Sequence, residues 1–336
     1  MRTVYLPTLI MACCSGLIIP ILPVYALSFE VSYGIVGWVL AAQGLGTLLF
    51  DVPAGVLVRR LGHKRIMLLG ISLNVGGVLA LFWAQGLPEV LAWRFLSGAG
   101  SALWTISRHA YIADLIQTGQ RGRSIAMLGG LGRVGTFAGP AVGGVVGATF
   151  GLRMPFLVFA GLGLLCIVVV LLWVEDEEKD KGDRPTGSRL GAVLRAHYRP
   201  LLTAGSGQLC AQLIRTARHA IIPLYAAEVL GLALHEVGLI ISLSSAIDML
   251  MFYPAGVIMD RWGRKYAYVP SFIIQSFGMA LVPLAGDFSL LLGVSLLIGL
   301  GNGLGSGTMM TLGADLAPVE SRGEFLGMWR FVGDFG

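Results

Sequence analysis

Ionisable side chains set inside long apolar runs are where this chain could do chemistry. Asp51 stands within Leu48-Leu49-Phe50-Asp51-Val52, and Asp248 within Ala246-Ile247-Asp248-Met249-Leu250. A carboxyl group in such a setting can take up and release a proton, although either residue could instead be one half of a structural ion pair. Arg94, Arg108, Arg133, Arg215, Arg218 and Arg330 are embedded in the same way, as is Asp334. A guanidinium is costly in an apolar medium and normally faces a polar interior, where it pairs with a carboxylate or holds a charged solute. For Arg94 the competing reading is a side chain near the outer interface that reaches water. Gln43, Trp104, Gln208 and Gln212 could line a substrate cavity with the arginines, while plain helix packing would account for any one of them alone.

Nothing in the chain points to an enzyme. There is no Walker A sequence, no H-E-x-x-H and no G-x-S-x-G. Gly130-Leu131-Gly132-Arg133-Val134-Gly135 matches G-x-G-x-x-G, but a dinucleotide site needs a preceding strand and an acidic residue about 20 positions later, and neither is present. Cys13, Cys14, Cys166 and Cys210 lie in apolar segments without metal-binding spacing and are expected to pack. No cofactor and no metal are expected.

The elements that must hold these side chains are membrane helices. The sequence is 55% hydrophobic and 13% charged, whereas soluble domains carry about 25% charged residues. Apolar runs near the length of a bilayer-crossing helix recur throughout, which predicts an all-α polytopic membrane protein. Expected spans are 3–26, 35–58, 65–84, 89–113, 124–148, 153–174, 199–228, 236–259, 266–285 and 288–313, with an eleventh opening after Gly323. The first run is too long for a signal-peptide core and reads as a retained helix.

Arg59, Arg60, Lys64, Arg65, Arg121, Arg123, Arg261, Arg264, Lys265 and Arg322 fall in alternate loops. The opposite loops carry Glu30, His235, Glu236 and Asp287, with Arg153 as the basic exception. The basic loops are therefore expected to be cytoplasmic, with the N-terminus inside, in a cell (plasma or inner) membrane. The same loop placement accounts for the net charge of +5 and argues against nucleic-acid binding. Residues 175–198 read as a cytoplasmic linker between bundles 1–174 and 199–336; within it Ser188 to Tyr198 is either a surface helix or a solvated strand of linker.

The chain repeats itself. Pro53-Ala54-Gly55-Val56-Leu57-Val58-Arg59-Arg60-Leu61-Gly62-His63-Lys64 returns, 201 positions on, as Pro254-Ala255-Gly256-Val257-Ile258-Met259-Asp260-Arg261-Trp262-Gly263-Arg264-Lys265. Gly98 and Gly100, Ala113-Asp114-Leu115, Arg121-Gly122 and Arg133 keep the same offset to Gly299 and Gly301, Ala314-Asp315-Leu316, Arg322-Gly323 and Asp334. Two parallel six-helix copies, the second incomplete, are how the halves of many secondary transporters are related. On this offset most of an eleventh helix and all of a twelfth fall beyond Gly336, as in a fragment or an inactive shortened variant.

These motifs resemble those of the major facilitator superfamily. Gly55 to Lys64 is similar to that family's loop G-x-L-x-D-R-x-G-R-K, with Arg59 where the family has aspartate; the second copy keeps Asp260. The resemblance implies a charge cluster that biases conformation, with Arg60 and Asp114, and Arg261 and Asp315, as candidate partners; simple topology signal is the alternative. Val90-Leu91-Ala92-Trp93-Arg94-Phe95-Leu96-Ser97-Gly98-Ala99-Gly100 is similar to the family's second motif, whose arginine is linked to proton coupling. Gly135-Thr136-Phe137-Ala138-Gly139-Pro140-Ala141-Val142-Gly143-Gly144 resembles the G-x-x-x-G-P-x-x-G-G signature of its twelve-helix drug:proton antiporters. Generic glycine packing would also explain it.

The resemblance implies export of small organic molecules, drugs or metabolites, coupled to protons, by a monomer in a lipid bilayer. Uptake or facilitated passage of an organic anion is the alternative, because embedded arginines outnumber embedded aspartates.

Overall fold

The computed structural model describes residues 2–115, 121–175, 190–305 and 307–317, and then 325, 328, 329, 332 and 333. Arg330, Asp334, residues 176–189 of the 175–198 linker and the side chain of Asp114 lie outside the described residues. All regular structure within them is helical: α1 (Arg2–Ile18), α2 (Ile21–Leu27), α3 (Tyr33–Leu61), α4 (His63–Ala80), α5 (Leu87–Leu115), α6 (Arg121–Phe150), α7 (Met154–Trp173), α8 (Leu190–Leu224), α9 (Leu234–Arg261), α10 (Arg264–Leu281), α11 (Phe288–Leu304) and α12 (Thr308–Leu316), with a π-turn at Tyr225–Val229 and a 3-10 turn at Val282–Leu284. Among the described residues five stretches are long and apolar enough to cross a membrane: Val4–Leu27, Tyr33–Leu61, Met154–Trp173, Leu234–Arg261 and Arg264–Leu284.

Two expected helices differ in the structure. The single span 3–26 is broken into α1 and α2 at Pro20, which lacks the N–H that would continue the ladder. The span expected at 199–228 begins already at Leu190, so the second half of the presumed linker continues into α8 without a break. At its other end the helix widens into the π-turn, an irregularity common near functional sites.

By contact the chain groups into two units. One comprises Met1–Lys179 with Ile222–Ser245, and the other Asp180–Ile221 with Ala246–Gly336. The return of 222–245 to the first unit has a local cause: Gly238 of α9 lies against the backbone of Pro140 on α6, and Gly144 against Leu234 and His235, too close for a Cβ on either glycine.

Within the first unit α3 and α4 flank α5, and α1 packs along α6. Small residues set these distances: a Cβ on Gly139 would meet the Cα of Gly16 at 2.6 Å and the nitrogen of Leu17 at 2.7 Å. Tyr25 is fully buried beside Phe156, ring centroids 4.9 Å apart, and its hydroxyl donates to the Leu81 carbonyl at 2.6 Å. In the second unit α10 packs along α11, and Leu201, Phe325 and Trp329 form a smaller apolar cluster.

Candidate functional site

The first unit carries a polar cluster among α3, α4 and α5. Arg94 is buried, with 5% of its surface exposed. One turn on, Gly98 presents no side chain, and the backbone of Gln43 on α3 occupies the space a Cβ would need. That close approach brings the Gln43 side chain to Arg94, whose Nη2 donates to Gln43 Oε1. On the opposite flank Ser97 donates to Asn74 Oδ1 of α4 at 3.3 Å, and Gly100 lies against the Asn74 backbone. The Nε of Arg94 is buried without a hydrogen-bond partner. Arg94 therefore sits inside the helix bundle rather than reaching out to an interface.

Further along α5, Arg108 lies over the Trp104 ring, 5.5 Å from its centroid, and its Nη1 stands 3.4 Å from Thr8 Oγ1 on α1. A cation over an indole face is held by the ring quadrupole. Trp104 is buried and Arg108 half-buried, so the two expected cavity residues are one i,i+4 unit of α5. Asp51 is half-buried on α3, two turns from Gln43, with one carboxylate oxygen shielded from solvent. Arg133 is half-buried on α6.

The second unit carries its own cluster. Gln208, Gln212, Arg215 and His219 recur at helical spacing along α8, with Arg218 beside them. Arg215 Nε donates to Asn302 Oδ1 of α11 at 2.9 Å. Arg218 on α8 and Asp248 on α9 are both buried, 9% and 7% exposed. Gly303 of α11 packs on the backbone of Asp248, which fixes α9 against α11 at this level. Arg218 Nη2 lies 3.4 Å from His219 Nε2. A guanidinium can only donate, so this contact is a hydrogen bond in the imidazole tautomer that leaves Nε2 without a proton. Gln208 packs by its side chain against Gly333, and Gln212 is half-buried on the same stripe.

At the helix ends, Gly62 and Gly263 have φ of 87° and 99°, which makes the turns into α4 and α10 possible. Gly55 and Gly256 have open space at the Cβ position. Arg59, Arg60, Asp260 and Arg261 are exposed. Asp315 is joined not by Arg261, as its place in the motif had suggested, but by Arg264, whose Nε donates to it at 3.0 Å; Arg264 also reaches Asp260 at 3.5 Å. Arg264 opens α10, one turn further along the chain, and so faces the end of α12.

Four participants escaped the sequence reading: Asn74, His219, Arg264 and Asn302. His219 completes a stripe of period about 3.6 on α8, a signal that was available. Asn302 was hidden in the glycine run Gly299 to Gly305, which reads as packing.

The Major Facilitator Superfamily profile matches residues 4–336. An uncharacterized MFS-type transporter of Methanocaldococcus jannaschii is 24% identical over 318 residues, covering 94% of this chain and 82% of that protein. Tetracycline resistance protein, class B, of Escherichia coli is 26% identical over 305 residues, 87% of this chain and 74% of that one. A crystal structure of peptide transporter POT in complex with sulfate superimposes with a TM-score of 0.80 at 14% identity, over 99% of this chain and 85% of that chain. That likeness concerns the fold. With the profile matched along nearly its whole length, the chain belongs to the major facilitator superfamily and is a multi-pass membrane transporter of small molecules, not an enzyme.

Proposed function

We propose that the protein is a secondary active transporter that exports small organic molecules, drugs or metabolites, in exchange for protons by alternating access. The observation that carries this reading is Arg94, buried in α5 and bonded to Gln43 of α3 with its Nε still unmatched. A buried cation on a membrane helix tends to serve the transported species or its coupling ion. Likeness to a tetracycline resistance protein supports the outward direction. Asp51 and Asp248 are the proposed proton carriers, each taking its proton in competition with substrate. Gln43, Trp104, Arg108, Arg133, Gln208, Gln212 and Arg215 are the proposed substrate contacts. The chain works as a monomer in the cell membrane, N-terminus in the cytoplasm, with halves 1–174 and 199–336 joined by a cytoplasmic linker, and the basic loops support that orientation.

Proteoliposomes with an imposed pH gradient test the reading. Ethidium, tetracycline and benzoate are offered in turn, and proton flux is followed with an internal dye. At least one compound should discharge the gradient through the protein, and Asp51→Asn should abolish the discharge with insertion unchanged. Full exchange by that variant would remove Asp51 from the role. Protein-dependent benzoate entry that ignores the pH gradient would favour a second reading, facilitated uptake of an organic anion, which the pair Arg215 and Arg218 recommends.

A further inference from the structure

Arg94 is a buried cation whose partner does not match its charge. It is 5% exposed and stands two turns inside α5. Nη2 donates to Gln43 Oε1, and Nε, on the same edge of the guanidinium, is shielded from solvent without a hydrogen-bond partner. Gln43 is a neutral amide. The nearest acidic residue along α5, Glu89, is exposed at the helix start and accepts from the Gln85 N–H at 3.0 Å. The flank towards α4 offers Asn74 and Ser97, which bond to each other and carry no charge. Among the described residues no carboxylate pairs with Arg94.

We infer that the edge of Arg94 now covered by Gln43 is a subsite for the carboxylate group of a transported substrate. Nε and Nη2 present two parallel N–H donors, and a carboxylate meets them with two oxygens where the Gln43 amide has one. Gln43 is thus a placeholder. It satisfies one donor at rest and yields the edge to a ligand that satisfies both. That ligand also brings the negative charge that a guanidinium inside an apolar bundle calls for. Gly98 keeps the exchange local. The Gln43 backbone lies against it, and Thr47 donates to its carbonyl at 3.2 Å, so α3 stays seated on α5 while the Gln43 side chain alone turns away. The subsite rests on the transporter reading for its substrate but not on direction or proton coupling, since a carboxylate subsite serves export and uptake alike.

Binding is measured on the purified full chain in detergent at constant ionic strength, by the shift of its thermal unfolding. The probes are acetate and its neutral isostere acetamide. Acetate should raise the unfolding temperature in a saturable way, and acetamide should not. The two Gln43 variants should then move in opposite directions. Gln43→Ala removes the competitor, so the half-saturating acetate concentration should fall about tenfold, and acetate should restore the stability lost with the amide. Gln43→Glu fills the edge with a carboxylate of its own, so the acetate response should vanish in a protein no less stable than the parent. Arg94→Gln should also lose the response, and Arg195→Gln, which removes an exposed charge, should keep it. If Arg94→Gln yields no folded protein, the contrast between the Gln43 variants decides. Equal responses to acetate and acetamide, a parental acetate response in Gln43→Glu, or no gain in Gln43→Ala would overturn the subsite. Acetate binding as expected in a protein that shows no proton-linked transport would instead sink the export reading and leave the subsite standing.

Discussion

At the scale of single residues, the hydrogen bond between Arg94 and Gln43 ties α5 to α3 inside the first unit. Arg94 was legible in the sequence, because a charge inside an apolar run is conspicuous. Its partner was not, because Gln43 is 51 positions away and meets it only where Gly98 lets two helices touch. The consequence is asymmetric. Removing Gln43 leaves a second buried donor of Arg94 without an acceptor, and an unsatisfied buried donor costs about 1–3 kcal/mol. Gln43→Ala should therefore lower the thermal stability of the purified protein by that order. It should also reduce pH-driven exchange at least tenfold, whereas Gln43→Glu, which keeps an acceptor, should recover the stability. A Gln43→Ala protein as stable as the parent would show that Arg94 draws no support from this contact.

At the scale of elements, the fold was readable because hydropathy writes membrane helices plainly, and the order of the helices follows the expected spans. Ends were less readable. Pro20 splits the first span, and α8 starts at Leu190 because nothing between Leu190 and Tyr198 forbids a helix. The glycines divide into two kinds that the sequence cannot separate. Gly139, within the Gly-Pro signature, faces backbone atoms of Gly16 and Leu17 at 2.6–2.7 Å from a would-be Cβ, and backbone cannot step aside. Gly55 and Gly256, equally prominent in the repeated loop motif, have nothing within 4 Å. Gly139→Ala should thus part α1 from α6 and cost on the order of 1–3 kcal/mol through overpacking. Gly55→Ala should leave stability within about 0.5 kcal/mol, as surface substitutions do. Thermal unfolding of both variants checks the contrast. A transport defect in a fully stable Gly55→Ala protein would place the need for that glycine in another conformation, where a neighbour comes close.

At the scale of the whole molecule, the duplication is the strongest signal in the sequence, and the structure shows where the copies have parted. Arg264, Asp260 and Asp315 form one network at the end of the second copy. The equivalent positions of the first copy, 201 residues earlier, hold His63, Arg59 and Asp114, so the pattern of one arginine between two carboxylates is not available there. What the repeat could not tell was which arginine of the second copy would do the pairing, because the choice between Arg261 and Arg264 depends on how α10 leaves the glycine turn at Gly263. The side chains of Arg264 and Asp315 are 35% and 52% exposed, and an ion pair this open to water is worth at most about 1 kcal/mol. Its work, if it is a latch, lies in the balance between conformations, where a change of about 1.4 kcal/mol moves a population tenfold. Arg264→Gln and Asp315→Asn should accordingly alter thermal stability by less than about 1 kcal/mol each. Each should change the rate of pH-driven exchange several-fold, and the double variant should do no more than either single one, because the second substitution has nothing left to break. Rates that multiply in the double variant would mean that the two residues act apart, and unchanged rates in all three would reduce the network to ordinary surface charge.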